Sequence, residues 1–594
     1  MHKFLCGGAG VATSMIALAL ALGACTPGSD VKPHIVDQGA VWDETTRNDF
    51  YTQDQGSRLM PLTWLRALQR PDGKPFLDDK LARYGYLENP QSAHGLPVGF
   101  TLADAPGGPS VGMNCAACHT REIQVGSDAY RIDGGPAIVD FEALLLDLDR
   151  AMAAALSNDS NFSIFAASVL GENPAPDQLV ALKADVEAWF LQFDTLVKRA
   201  LPRTFGGPGR VDAIAMIFNR LSGLDIGTEP NRIIAANIQP ADAPVRYPFL
   251  WNAAKQDRTQ WTGFAANGND ILGLARNLGE VYGVFAHFEP VKKFDFIVDF
   301  RNRNSANFTG LNRLEQMIRK LQPPKWPFPV DTALAAKGAA IYNRPTGEGG
   351  CVACHNTDAG KVRFLNNQTW KTPVLDVGTD TRAYQIVGRQ VDTGMLEGVS
   401  IPLLTKPLGK TDTAMNVLTL AVLGTILEDL PSALDDGSRV MNAGLQDTVS
   451  SIDRLEQAKK DLAGAFDPGG RDDPEIALPQ AIQAGVPAPS GKFAFESRAM
   501  QGIWAAAPYL HNGSVPTLED LLKPSDQRSK TFTIGPNYDV AAVGIAKVQT
   551  KFTTPLVTTG CENLGSGNSN CGHEFGTSLP ADDKKALLEY LKTL

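Results

Sequence analysis

Beyond its first 25 residues the chain contains no long apolar run, so nothing later suggests a membrane-spanning helix. It has no excess of basic charge. Its 55 Lys and Arg stand against 65 Asp and Glu, and the net charge of −10 argues against nucleic acid as a partner. No run of strictly alternating apolar and polar residues marks a sheet protein; residues 530 to 556 hold at most a short hairpin. Histidine is scarce, with eight in 594 residues, and none lies between His119 and His287. Cysteine is equally scarce, so each of the eight needs an explanation. What remains is a composition of 43% hydrophobic and 20% charged residues, ordinary for a globular chain long enough to hold several domains.

The cysteines carry most of the information. Two Cys-x-x-Cys-His motifs occur, Cys115-Ala116-Ala117-Cys118-His119 and Cys351-Val352-Ala353-Cys354-His355. This is the pattern of covalent c-type haem attachment. Two thiols three residues apart each form a thioether with one vinyl group of a porphyrin, and the adjacent histidine becomes the proximal ligand of the iron. A zinc site would need further Cys or His ligands nearby, and neither motif has them. A redox dithiol would not need the histidine twice. The cofactors expected are therefore two covalently bound haem c groups, on Cys115, Cys118, Cys351 and Cys354, with His119 and His355 as iron ligands.

The first 25 residues read as an export signal. His2 and Lys3 precede an apolar run that closes on Leu22-Gly23-Ala24-Cys25. That ending resembles a bacterial lipoprotein signal, with Cys25 the lipidated first residue of the mature chain; an ordinary cleaved signal is the alternative. Thr26 rather than Asp then implies the outer membrane, reached only through the lipid anchor. Outside the cytoplasm the remaining pair, Cys561 and Cys571 in a Gly/Ser/Asn loop, reads as a disulfide.

Helical spacing of apolar residues predicts helices over Phe141 to Leu156 and Leu179 to Leu201, with a shorter one over Arg210 to Leu221. Thr63 to Leu81 reads as partly helical, and residues 224 to 270 as a long ordered loop region. The prolines of Leu321 to Pro327 mark a linker. A helix over Ala333 to Tyr342 leads into the second motif, and a last helix follows Pro580. The expectation is a mainly α chain of two cytochrome c-type haem domains with long irregular loops and an N-terminal extension. Its parts are a signal at 1–24, a tether and extension at 25–90, a first haem domain with the active site at 91–327, and a second haem domain at 328–594.

Two haem motifs together with the block Gln501 to Ser514, which contains Pro508-Tyr509-Leu510-His511-Asn512-Gly513, resemble the bacterial dihaem cytochrome c peroxidase superfamily. The resemblance is closer to its rubber oxygenase branch. It rests on His94 to Phe100, Tyr247 to Trp251, Gln260 to Gly263, and Gly567 to Phe575, and it covers nearly all of the mature chain. It implies His573 as the distal ligand of the second haem, Trp251 as an aromatic bridge between the haems, and a pocket role for His511. A surface histidine and a plain buried aromatic are the alternatives for His573 and Trp251. His94 is a candidate second-layer residue, and His287 reads as packed.

The chain departs from classical dihaem peroxidases in lacking a histidine soon after the first motif and a methionine after the Pro-Tyr-x-His block. A first haem held only by His119 would have an open face. Ala213 to Met216 and Phe218, with Phe264, Ala265 and Ala266, are the apolar candidates for its pocket; ordinary core is the other reading. Such a pocket suits a hydrocarbon and offers no acid or base for splitting peroxide. The resemblance therefore implies an oxygenase using dioxygen at the first haem to cleave C=C bonds of a polyisoprenoid or other apolar substrate, with Trp251 and Phe264 at the site. A dihaem peroxidase fed by an electron-donor cytochrome, and an outer-membrane electron-transfer cytochrome, are the alternatives.

Overall fold

The computed structural model describes residues 32–441 and 493–594 apart from 106, 203, 205, 295–296, 364–366 and 401–406; for 430–441 only the backbone is described. Cys6 and Cys25, and with them the signal and the lipidation site, lie outside the described residues.

The fold is mixed α/β, not mainly α: 38% of it is helix and 17% strand. The described strands form ten small sheets of two or three strands each, most of them antiparallel hairpins. Many of these strands are only two to four residues long, too short for an alternating pattern to stand out. The longest pair, Thr120–Val125 with Asp128–Asp133, starts directly after the first haem motif. In the region read as a hairpin, Thr531–Thr533 pairs with Pro555–Val557 around a smaller pair.

The expected helices form. Phe141–Leu156 starts at Asp140, whose carboxylate accepts from the Ala143 amide, an N-cap that satisfies one of the donors exposed at a helix start. Pro176–Ala200 begins on a proline, which needs no amide partner there. Ala213–Arg220 is capped by Asp212. Leu62–Ala67 is the helical part of the 63–81 stretch. Thr332–Tyr342 packs on the last helix, Ala581–Thr593. The two backbones come so close at Gly338 that a Cβ there would lie 1.9 Å from the Ala586 carbonyl oxygen.

Two apolar cores result, and both draw residues from either side of the Leu321 to Pro327 segment. One holds the helices after the first motif together with Met415 to Ile426; the other joins Trp42, Phe50 and Trp251 to Trp504 and Leu587.

The stretch read as a tether is packed from its start in the described residues. His34–Ile35 pairs in parallel with Tyr130–Arg131, and Glu44–Thr52 is a helix. Buried Asp133 accepts from the Trp42 indole at 2.7 Å, Arg47 at 2.9 Å and the Tyr51 hydroxyl at 2.6 Å. Asp133→Ala would strand a guanidinium and two buried donors, and should cost about 3–5 kcal/mol. Urea unfolding midpoints check this; a change below about 1 kcal/mol would make the cluster a surface feature.

Candidate functional site

Two cavities open on the two Cys-x-x-Cys-His motifs. The first contains Cys115, Cys118 and His119 in its wall; the second contains Cys351, Cys354, His355, His511 and His573.

Cys115–Cys118 is a single helical turn. Asn114 caps it by accepting from the Ala116 amide at 2.9 Å, and its own amide donates to the Phe50 and Gln53 carbonyls. Gly99, at φ +78°, lies against this turn: a Cβ would fall 2.0 Å from the Ala117 nitrogen, so glycine is required where the backbones touch. Cys115 and Cys118 are three residues apart on one turn and so share a face. Both thiols are pushed up to about 12 by burial. None of the four motif cysteines is in a disulfide.

The His119 Nδ1 lies 2.8 Å from the Pro248 carbonyl, and the His355 Nδ1 lies 2.7 Å from the Arg498 carbonyl. A carbonyl can only accept, so in both rings Nδ1 carries the proton and Nε2 keeps its lone pair for a metal. Burial lowers the His119 pKa to about 4 and that of His355 in the same direction, which keeps both imidazoles neutral.

His573 faces His355 with ring centroids 6.1 Å apart. Two imidazoles sharing one metal, each with a bond of about 2 Å, need about this separation. His573 sits at φ +50°, its amide donating to the Val377 carbonyl. The Cys561–Cys571 disulfide precedes it, and Arg528 Nη1 donates to the Asn570 and Gly572 carbonyls beside it. Its buried Nδ1 has no partner among the described residues. Burial and then His355 lower its pKa to about 3. His511 stacks on Phe495 at 3.8 Å in the same cavity.

The sequence-named residues are distributed unevenly. Phe264 lines the first cavity with Ala213, Ile214 and Met216, whereas Ala215, Phe218 and Ala265 are buried core. Trp251 is fully buried, stacks on Phe249 at 4.8 Å and lines neither cavity. His94 and His34 are exposed, and so is His287, which was expected to be packed.

The first cavity is less apolar than its sequence candidates suggest. Gln260, Arg276 and Glu280 also line it, and the Gln260 amide donates to Glu280. Burial raises the Glu280 pKa. The expectation of a pocket without an acid or base is thereby corrected. Glu280 and Arg276 sit on the helix Asp270–Gly283, whose inward face no motif marks. A shared wall, made of Arg246, Phe249, Trp261, Glu496 and Arg498, separates the cavities. Arg246 lies over the Trp261 ring at 4.6 Å, and its buried Nη1 has no partner among the described residues. An unpaired guanidinium edge of this kind fits a porphyrin carboxylate. Each cavity, with its two thiols, its neutral imidazole and this nearby cation, fits a haem c.

Residues 494–533 match the family described as RoxA-like, cytochrome c-like. This segment carries Phe495, Arg498 and His511 of the second cavity. A cytochrome c-like domain implies haem c. The chain is similar to the uncharacterized protein y4iJ of Sinorhizobium fredii, 29% identical over 93% of this chain and 92% of the relative. It is also similar to the uncharacterized protein y4iM of the same organism, 33% identical over 58% of this chain and 63% of the relative.

Proposed function

We propose that the chain is a dihaem c-type oxidoreductase that uses dioxygen in the first cavity to cleave C=C bonds of an apolar substrate. The observation that supports this most is the asymmetry of the two cavities. The second has a histidine opposite its proximal one; the first contains His119 as its sole histidine among the described residues. A haem c held there by Cys115, Cys118 and His119 would supply redox chemistry toward dioxygen or peroxide. In this reading His119 holds the first group, and His355 and His573 hold the second. Phe264, Ile214 and Met216 give an alkene an apolar seat beside His119. Both oxygen atoms end in two carbonyl products, so no net proton is needed. Export and anchoring through a lipid on Cys25, with no other membrane contact, belong to the same proposal.

A peroxidase reading is favoured by one observation: Glu280, held by Gln260 in the first cavity, is a half-buried acid able to give a proton to a leaving oxygen. Incubation with polyisoprene latex under air, and separately with peroxide and a reduced cytochrome, decides between them. Carbonyl-ended fragments are expected, with Glu280→Gln retaining more than half the rate. Cytochrome oxidation that falls at least about a hundredfold in Glu280→Gln, without fragments, would transfer the assignment to peroxide.

A further inference from the structure

We infer that Arg498 is a positioning residue shared by the two proximal histidines, so that the potentials of both haems depend on this one side chain. The inference rests on the dihaem reading above and adds a residue that neither haem motif contains.

A continuous path joins the two imidazoles. His119 Nδ1 donates to the Pro248 carbonyl at 2.8 Å. The next carbonyl along the chain, that of Phe249, accepts from Arg498 Nη1 at 2.8 Å. The main-chain carbonyl of Arg498 accepts from His355 Nδ1 at 2.7 Å. Three hydrogen bonds, one short length of backbone and the Arg498 residue from its guanidinium to its carbonyl therefore lead from one proximal ligand to the other, and Arg498 takes part in two of those bonds.

The rest of the side chain is fixed as well. Arg498 Nε donates to Gln256 Oε1 at 2.9 Å, its guanidinium lies over the Phe249 ring at 4.3 Å, and Glu496 pairs with it at 3.5 Å. It is 6% exposed and lines both cavities. Partners of a ligating histidine set its orientation and basicity, and through them the potential of the metal. A buried cation near a haem also favours the electron-richer reduced form. Both effects here come from one residue and reach both sites. Lysine keeps the charge but not the positioning, because it lacks the planar fork that holds Phe249 and Gln256 together.

The test is a redox titration of the wild-type protein, Arg498→Lys and Arg498→Met, following the optical bands of each haem, with covalent haem counted as pyridine haemochrome. In Arg498→Met both haems should shift about tenfold toward the oxidised form, 59 mV for one electron. Arg498→Lys should shift both in the same direction by less, and it decides the matter by the same criterion if Arg498→Met loses haem. A shift confined to one haem, or none in either, with haem content intact, overturns the shared role and leaves the dihaem reading standing. Fewer than two covalent haems in the wild-type protein overturns that reading, and this inference with it.

Discussion

Replacing Cys115 and Cys118 together with alanine should lower covalent haem from two groups per chain to one, and the Cys351/Cys354 double replacement should do the same. Each cavity supplies one pair of thiols, both partly buried in its wall and outside any disulfide. Each pair is followed by an imidazole whose Nδ1–H is already taken by a carbonyl. No other described cysteines are free to substitute, since Cys561 and Cys571 are bonded to each other. Pyridine haemochrome absorbance per chain measures the outcome. The two variants should differ in one further respect. Loss of the first pair should abolish turnover, and loss of the second should leave carbon monoxide binding by the remaining ferrous haem. An unchanged haem count in either variant would refute the assignment of that motif.

Changing His573 to alanine should convert the second haem from low-spin to high-spin and open it to exogenous ligands. The rings of His355 and His573 stand 6.1 Å apart, and His573 is held there by the Val377 carbonyl and the Arg528-braced segment before it. The reduced wild-type protein should bind one carbon monoxide per chain, at the haem of the first cavity. The variant should bind two. Because the His573 pKa is lowered to about 3 by burial, the imidazole stays neutral at any ordinary pH. A folded-state pKa below the unfolded one means that the neutral form is favoured, and stability tied to it is lost only as the pH falls below the unfolded value of about 6.5. The low-spin signal should therefore be constant from pH 7 to 9. Identical low-spin spectra and ligand stoichiometry in wild type and variant would make His573 a bystander.

The helices were legible because their signals are local. Apolar residues at helical spacing over Phe141 to Leu156 and Leu179 to Leu201, and Pro580 before the last helix, announce each element within a few residues. The sheets were not legible, and the expectation of a mainly α fold failed for that reason. A two-residue strand such as Arg210–Val211 exists because Val245–Arg246 lies beside it, and no period within two residues announces that partner. The same holds for the N-terminal stretch. Its polar composition reads as a tether, but Trp42, Arg47 and Tyr51 converge on Asp133, more than 80 positions away.

Sequence alone determined the chemistry offered by this protein: two thiol pairs each followed by histidine, a cysteine pair in a small-residue loop, and no histidine for a long stretch after His119. Covalent attachment and axial ligation depend on adjacent residues, and adjacency is what a sequence records. Only the tertiary structure decided which groups face one another. It brought His573 to His355 across more than 200 positions, turned Glu280 and Arg276 into a cavity whose sequence candidates were apolar, and stacked Trp251 on Phe249 of the shared wall. It also laid Arg498 between the two proximal histidines. Those juxtapositions come from burying two cores that each draw on distant parts of the chain, and the free energy of such burial is non-directional and depends on area, not on order along the chain.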